Sequence, residues 1–198
     1  DYQIAHSYLE ESLAMARQIG DPFLLTVCLR ELGLLKLYQG DLGASDRYCR
    51  ESLAQGRVAG SDWDLALALF NIGNIANTLN DTPRAIAAYE ECLGLFAKVH
   101  DERGIALVLA GLGLISCQQG DYATARGHLE TSSMLMRNQH NKWSLADVLS
   151  LFGEVLHRQG DLVQAEELYV ECLRLSHDIG EKTRMALMLH HFGAFAHM

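Results

Sequence analysis

The chain has 198 residues, 49% of them apolar, and a formal net charge of −9 at pH 7. This apolar content excludes a disordered chain, and the length is enough to bury a sizeable core. The negative charge argues against a nucleic-acid partner, and the sequence has no run of about 18 apolar residues that would span a membrane. Five cysteines without CxxC spacing, and a start without a secretory pattern, predict a reduced, cytoplasmic setting.

A register of forty residues runs through the chain without insertion or deletion, so residues forty apart form columns of equivalent positions. Two kinds of twenty-residue segment alternate, here named helix B and helix A. In chain order, we predict an unpaired helix B over 1–20 and an unpaired helix A over 181–198. The full repeats between them are 21–60, 61–100, 101–140 and 141–180. Together they predict one array over 1–198.

Helix A carries apolar columns at helical spacing and then a column made only of glycine. Glycine inside a helix lowers helix stability by about 1 kcal/mol relative to alanine. Its occurrence at the same position in all five A helices therefore needs a structural reason. A small residue follows each of the first four glycines after twelve positions, and the sequence therefore predicts a close crossing of helix A and helix B. The pairs are Gly33 and Ser45, Gly73 and Ala85, Gly113 and Ala125, and Gly153 and Ala165.

The junction between helix A and helix B reads "QGD" at 39–41, 119–121 and 159–161. Glycine tolerates the left-handed conformation that ends a helix, and Asn80 takes its place in the second repeat. The aspartates that follow are predicted to cap helix B by accepting bonds from backbone N–H groups. These aspartates are Asp41, Asp81, Asp121 and Asp161. His100 and His140, at the other junction, are predicted to end a helix.

The pattern resembles the tetratricopeptide repeat in its longer, forty-residue form. Helix A matches through "LRELG" at 29–33, "LFNIG" at 69–73, "LAGLG" at 109–113, "LSLFG" at 149–153 and "LHHFG" at 189–193. Helix B matches through Ala85–Tyr89–Cys92 and Ala165–Tyr169–Cys172, although the family's proline after helix B is missing. The resemblance extends to arrays in large bacterial transcriptional or signalling regulators and in cell-polarity adaptors. It implies an all-α, right-handed solenoid of antiparallel helical hairpins.

No catalytic constellation is found in the sequence. GxxxxGK[ST], HExxH and GxSxG are all missing, so we predict neither an enzyme nor a cofactor. The histidine cluster His190, His191 and His197 lacks Cys, Asp or Glu at helical spacing, and no metal site is predicted. Cys92 and Cys172 are interpreted as core thiols.

The resemblance implies that partners bind in a concave groove lined by helix A. An extended or helical segment would find apolar anchors there, and amide groups to hold its backbone. The alternative is that several of these apolar residues contact neighbouring helices instead. The predicted groove residues are Arg30, Leu34, Tyr38, Phe70, Asn74, Asn77, Leu114, Gln118, Asp147, Glu154, His157, Arg158 and His190.

The leading hypothesis is therefore a non-catalytic scaffold that binds a protein or peptide, as a fragment of a larger signalling or regulatory protein. The alternative is an inducer-sensing or small-ligand-sensing domain of a bacterial transcriptional activator. A third interpretation is a structural spacer that associates with itself. Leu189, Phe192 and Phe195 give the last helix an apolar face, from which we predict pairing through a terminal helix.

Overall fold

A computed structural model describes the backbone of residues 2–195 and the side chains of 2–190 and 192. These residues form ten α-helices, with no strand in the part of the chain that is described. The helices are α1 (Tyr2–Ile19), α2 (Pro22–Tyr38), α3 (Leu42–Ala59), α4 (Asp62–Thr78), α5 (Thr82–Lys98), α6 (Glu102–Gln118), α7 (Tyr122–Asn138), α8 (Lys142–Gln159), α9 (Leu162–Ile179) and α10 (Lys182–Phe195).

The helices alternate as the sequence predicts. The B helices are α1, α3, α5, α7 and α9, and the A helices are α2, α4, α6, α8 and α10. The most extensive contacts join each helix A to the helix B that follows it, as in α2 with α3 and α8 with α9. Short connections make each such pair an antiparallel hairpin. The chain divides into two compact units, unit 1 over residues 1–101 and unit 2 over 102–198. No described helix is long and apolar enough to cross a membrane.

The junction residues adopt the predicted left-handed conformation. The φ angles of Gly40, Gly120 and Gly160 are 78°, 80° and 84°, and that of Asn80 is 58°. His100 and His140 also adopt the left-handed conformation, with φ angles of 55° and 54°, so both end their helices as predicted. This conformation is strained for a residue with a Cβ, which is why glycine fills most of these positions.

The aspartate caps are confirmed in three of the four repeats. The side chains of Asp41, Asp81 and Asp121 accept bonds from backbone N–H groups in the first turn of α3, α5 and α7. The prediction is wrong for Asp161, which stands at the N-cap of α9 without a side-chain cap bond. Its carboxylate instead lies 3.3 Å from the guanidinium of Arg126, because a cation on the preceding helix B competes for it.

The glycine column makes room for a second residue of helix B besides the small one predicted. A Cβ on Gly73 would lie 2.5 Å from Cε1 of Tyr89, and one on Gly113 would lie 2.8 Å from Cγ of Leu129. Both neighbours follow their glycine by sixteen positions rather than twelve. The predicted small residues also lie at the crossing: Ser45 donates a 2.7 Å bond to the carbonyl of Gly33, and a Cβ on Gly113 would lie 3.5 Å from the carbonyl oxygen of Ala125. The glycines therefore also accommodate the side chain one turn beyond the small residue, which the sequence did not predict.

A second helix B column ties the two helices of each hairpin together. The column holds serine or cysteine, and each side chain donates a hydrogen bond to a backbone carbonyl of helix A. The bonds run from Ser52 to Thr26 (2.8 Å), from Cys92 to Ala66 (3.0 Å), from Ser132 to Ala106 (2.7 Å) and from Cys172 to Ala146 (3.2 Å). The sequence analysis interpreted the two cysteines of this column as core thiols and predicted no hydrogen bond for them. All five cysteines are free and buried, which confirms that Cys92 and Cys172 are core thiols.

Each unit has its own apolar core. In unit 1, Leu13, Leu29 and Leu32 pack between α1 and α2. In unit 2, a larger cluster includes Leu129, Leu149 and Tyr169, with Phe192 packed against its edge. Leu29 and Leu149 belong to an apolar column of helix A that holds leucine in all five A helices. This column faces inward in both units, as its helical spacing predicts. Leu189 occupies the same column on α10, but its side chain is exposed, unlike the other four leucines.

Candidate functional site

The predicted binding residues of unit 1 lie on two neighbouring A helices. Leu34 and Tyr38 are one turn apart on α2, and Phe70, Asn74 and Asn77 follow the same face of α4. The two helices contact each other directly. Tyr38 is exposed and the other four side chains are half-buried. We call these five residues the A-face of unit 1.

Asn74 is held in place from beneath the A-face. The hydroxyl of Tyr89, a fully buried residue of α5, donates a hydrogen bond of 2.7 Å to Oδ1 of Asn74. The ring of Phe70 lies 6.0 Å from that of Tyr89, tilted by 45°. Burial raises the pKa of Tyr89, so its hydroxyl stays protonated and keeps donating. With Oδ1 occupied, the amide NH₂ of Asn74 is left to donate to a ligand acceptor.

Arg30, on α2, is half-buried, and its charge is already engaged by neighbouring side chains. Its guanidinium pairs with Asp64 of α4 and with Glu31, 2.8 Å away, and only 11% of its side chain is exposed. It also lies 5.4 Å from the ring centroid of Trp63, in cation–π geometry. Asp64 accepts a further bond of 2.6 Å from Ser61. These contacts join α2 to α4, and they depend on the neighbouring helix, which is why the groove pattern gave no sign of them.

The predicted residues of unit 2 form a more polar surface on α6 and α8. Leu114 is half-buried and Gln118 is exposed on α6, while His157 is half-buried on α8. Glu154 occupies the column of Asn74, and its carboxylate lies 2.7 Å from the guanidinium of Arg158. Unit 2 therefore presents an ion pair where unit 1 presents an amide.

Neighbouring groups raise the pKa of two side chains of unit 2, Arg158 and Cys117. A hydrogen bond from Arg158 to Tyr122 and the adjacent Glu154 raise the pKa of Arg158. Burial, reinforced by Glu154, raises the pKa of the Cys117 thiol on α6. The guanidinium is therefore charged and the thiol neutral at physiological pH.

Asp147 and His190 lie at the junction of α8 and α10. The carboxylate of Asp147 pairs with Arg184, which is buried and lies 5.3 Å from the ring centroid of Trp143. The contact between Arg184 and Trp143 resembles that between Arg30 and Trp63. The order is reversed, because Arg184 lies on the later helix of its pair whereas Arg30 lies on the earlier one. His190 is exposed on α10. His197, its partner in the histidine cluster, lies outside the described residues, within which no group of three or more potential metal ligands occurs.

A cavity of about 420 Å³ lies elsewhere, on a B helix. Its described lining consists of Val163, Glu166, Glu167 and Val170, all on α9. Sequence reasoning did not single out these residues. The signal was available, since Val170 is the only apolar residue in a column otherwise filled by Glu10, Arg50, Glu90 and Glu130.

Comparison with known families identifies the repeat. The family model described as Tetratricopeptide repeat matches residues 24–98 and 104–178. The chain belongs to the tetratricopeptide repeat family. No curated protein matches its sequence.

Solved structures show the same fold at low sequence identity. BtubC (BKLC) from P. vanneervenii aligns with a TM-score of 0.79 and 23% identity, over 91% of this chain and 75% of that protein. The apo form of RapI aligns with a TM-score of 0.84 and 14% identity, over 95% and 69% of the two chains. A Rap protein complexed with Competence and Sporulation Factor gives 0.84 and 12%, over 94% and 52%. These tetratricopeptide-type neighbours confirm the all-α helical-repeat fold class.

Proposed function

We propose that the protein is a non-catalytic scaffold whose A-face in unit 1 binds an extended segment of a partner protein. The observation that carries this proposal is the amide of Asn74, fixed by the buried hydroxyl of Tyr89. An oriented amide on an accessible helical face is suited to a peptide backbone, whose carbonyl groups accept hydrogen bonds in any sequence.

The surroundings of Asn74 supply the other parts of a peptide site. Asn77 adds a second amide one turn further along α4, and Tyr38 offers an exposed aromatic ring on α2. Leu34 and Phe70 contribute half-buried apolar surface between them. Amides would hold the backbone, and the apolar and aromatic groups would select side chains.

Unit 2 is proposed to select for charge rather than to hold the backbone. Glu154, Arg158 and His157 on α8 present acidic and basic groups, of which Glu154 and Arg158 already pair with each other. A charged side chain of the partner would replace Glu154 or Arg158 as the counter-ion of the other. Such exchange favours specificity more than affinity, because exposed ion pairs contribute little net energy.

The proposal also covers the class of partner, the cellular compartment and the regulatory role of the protein. A structural neighbour is a Rap protein in complex with Competence and Sporulation Factor, which supports a protein or peptide partner for this fold. Five free thiols favour a reducing compartment, so we propose a cytoplasmic setting. The proposed signalling or transcription-regulating role follows from the resemblance to the arrays of bacterial regulators. The cavity on α9 gives the inducer-sensing alternative no support at the A helices, because its described lining comes from one B helix.

The experiment is a selection of random dodecapeptides displayed on phage against the full chain, followed by affinity measurements on synthetic copies. We expect Asn74→Ala to weaken the selected peptides at least tenfold and Tyr38→Ala to weaken a subset. Gln18→Ala is the matched control, since it removes an exposed amide from a B helix of the same unit. Failure to select any peptide, or equal weakening by Asn74→Ala and Gln18→Ala, would contradict the proposal.

A further inference from the structure

A group of arginines lies on the B helices α3 and α5 of unit 1. The guanidinium of Arg50 lies 2.9 Å from Oδ2 of Asp46 on α3, and Arg84 of α5 pairs with Oδ1 of the same carboxylate. Arg47 is exposed on α3, three positions before Arg50. We call these four residues the α3–α5 patch. Three guanidinium groups and one carboxylate give it a net positive charge.

Asp46 compensates the charge of only one of the two arginines that bind it. The side chains of Arg84 and Asp46 are 26% and 20% exposed, whereas that of Arg50 is 62% exposed. Partial burial strengthens the pair with Arg84, and an ion pair exposed to water contributes little. Arg50 can therefore leave Asp46 at little energetic cost, because Arg84 continues to neutralise the carboxylate.

Two acidic residues beside the patch are already engaged. Glu51, one turn from Arg47 along α3, lies 3.1 Å from the guanidinium of Arg17. Glu10 of α1 accepts a 2.7 Å hydrogen bond from the hydroxyl of Tyr48. Arg47 itself forms no ion pair within the part of the chain that the structure describes. The exposed guanidinium groups of the patch are therefore available to an anion from outside the chain.

The fold does not require positive charge at these positions of helix B. In the other four B helices, the two columns hold acidic, small or apolar residues. These are Glu10, Glu90, Glu130 and Val170 in the column of Arg50, and Ser7, Ala87, Gly127 and Glu167 in the column of Arg47. All five segments form the same kind of helix. The arginines of α3 thus have a role other than the packing of the repeat.

We propose that the α3–α5 patch binds an acidic segment of a partner protein. A guanidinium presents paired N–H donors that match the two oxygens of a carboxylate. The Cβ atoms of Arg47 and Arg50 should lie about 5–6 Å apart, close to the distance of about 6.6 Å between alternate residues of an extended chain. Each of the two arginines therefore binds one Asp or Glu of a segment that carries acidic residues at alternate positions.

The charge of the whole chain favours a short acidic segment over nucleic acid. Charges on the surface are largely screened beyond about 8 Å at physiological ionic strength, so the local charge of the patch decides whether a short segment binds. A nucleic acid would extend its phosphates past the patch, over a chain with a net charge of −9. The patch lies on B helices, so this binding does not depend on the peptide binding proposed for the A-face of unit 1.

The experiment titrates the ¹⁵N-labelled full chain with acetylated hexaglutamate and follows the backbone amide signals by NMR. We expect the shifted amides to cluster around residues 46–50 of α3 and Arg84 of α5. The affinity should fall as the salt concentration rises, because the contact is electrostatic. Acetylated hexalysine is the control peptide, and it should leave these amides unchanged.

Variants of the full chain test the two arginines directly. Arg50→Glu should weaken the binding of hexaglutamate about tenfold or more, and Arg47→Gln should weaken it less, because it removes a charge without reversing it. Arg174→Glu is the matched control, since it makes the same change of charge at an exposed arginine of α9, another B helix. Circular dichroism verifies that all three variants keep their helices.

Three results would overturn the proposal. Hexaglutamate could leave the amides of α3 and α5 unchanged, which would show that the arginines serve only contacts within the chain. Arg50→Glu and Arg174→Glu could weaken binding equally, which would show that only total charge matters. An oligothymidylate of the same charge could bind the patch more tightly than hexaglutamate, which would assign it to nucleic acid.

Discussion

At the scale of single residues, the glycine column sets how closely helix A and helix B approach. The buried side chain of Leu129 lies against Gly113, and its Cγ would be 2.8 Å from an added Cβ. No ordinary Cβ contact is that short, so any larger residue would push the helices apart or force Leu129 out of its rotamer.

The first prediction follows from this contact. Replacing Gly113 with Leu should reduce the free energy of unfolding by at least about 2 kcal/mol, because overpacking at a close crossing strains both helices. Urea denaturation followed by circular dichroism measures the change.

Two controls in the same unit separate packing from helix propensity. Gly127 lies on the exposed side of α7, where an added Cβ would meet nothing within 4 Å. Gly127→Ala should therefore stabilise the chain by about 0.5–1 kcal/mol. Gln118→Ala, at an exposed position of the predicted groove, should change stability by less than about 0.5 kcal/mol. Equal losses in Gly113→Leu and Gln118→Ala would mean that core and surface are wrongly assigned.

Residue-level prediction from sequence succeeded where the cause is local. Gly40, Asn80 and Asp41 behave as predicted, because end and cap preferences depend on backbone conformation a few residues away. It failed for Asp161, whose carboxylate turns to Arg126 on another helix. The choice between a cap bond and an ion pair depends on tertiary distance, which the local sequence does not contain.

At the scale of helices, equivalent helices of neighbouring repeats are joined by polar contacts of very different exposure. Arg30 and Asp64 link α2 to α4 with side chains only 11% and 5% exposed. Arg57 and Glu91 link α3 to α5 with side chains 61% and 50% exposed. Burial decides their importance, since a charge left unpaired in the interior is costly whereas an exposed one is solvated.

The second prediction compares these two links. Asp64→Ala should destabilise the chain by roughly 2–4 kcal/mol, because it leaves the Arg30 guanidinium largely buried without its main counter-charge. Arg57→Ala should cost less than about 0.5 kcal/mol. Chemical denaturation of both variants tests the difference. A small loss in Asp64→Ala would show that Glu31 alone satisfies Arg30.

The third prediction concerns the serine and cysteine column of helix B. Ser132→Ala should cost about 1 kcal/mol, since the carbonyl of Ala106 loses its 2.7 Å donor within a buried hairpin. Ser132→Cys should cost less, because cysteine fills the same column and donates in two other repeats. Thermal melts rank the variants, and equal losses for alanine and cysteine would argue that only side-chain size matters here.

At the scale of the whole molecule, the helices bury every cysteine of the chain. Burial raises the pKa of Cys49 and of Cys92 to about 12, and it also raises the pKa of Cys117 and Cys172. The reactive thiolate of these four cysteines is therefore scarce at pH 8, and burial gives a reagent little access to any of the five sulfur atoms.

The fourth prediction is that thiol labelling reports unfolding. With a chromogenic disulfide reagent at pH 8, the native chain should react slowly, at a rate that rises with urea in step with the loss of helix. A Val58→Cys variant should add one fast-reacting thiol, because that side chain is exposed. Rapid reaction of several native thiols without denaturant would contradict the burial described for them.

The fold could be predicted from sequence more completely than the site. A forty-residue register with helical apolar columns specifies helix order, hairpins and junctions, because each depends on periodicity and local turn chemistry. Arg30 and Asp147 satisfied the same surface periodicity, yet each pairs with a charged residue on a neighbouring helix. The support of Asn74 by Tyr89 also needed the position of another helix.

The hydrogen bonds of the serine and cysteine column have a mechanical consequence. Each one fixes a point on helix B to one carbonyl on helix A, so the two helices of a hairpin cannot slide along each other without breaking it. We therefore expect the two helices of a hairpin to move as one body. Displacement of α4 by a partner on the proposed A-face would then carry α5 with it, and bending would occur between neighbouring hairpins rather than inside one.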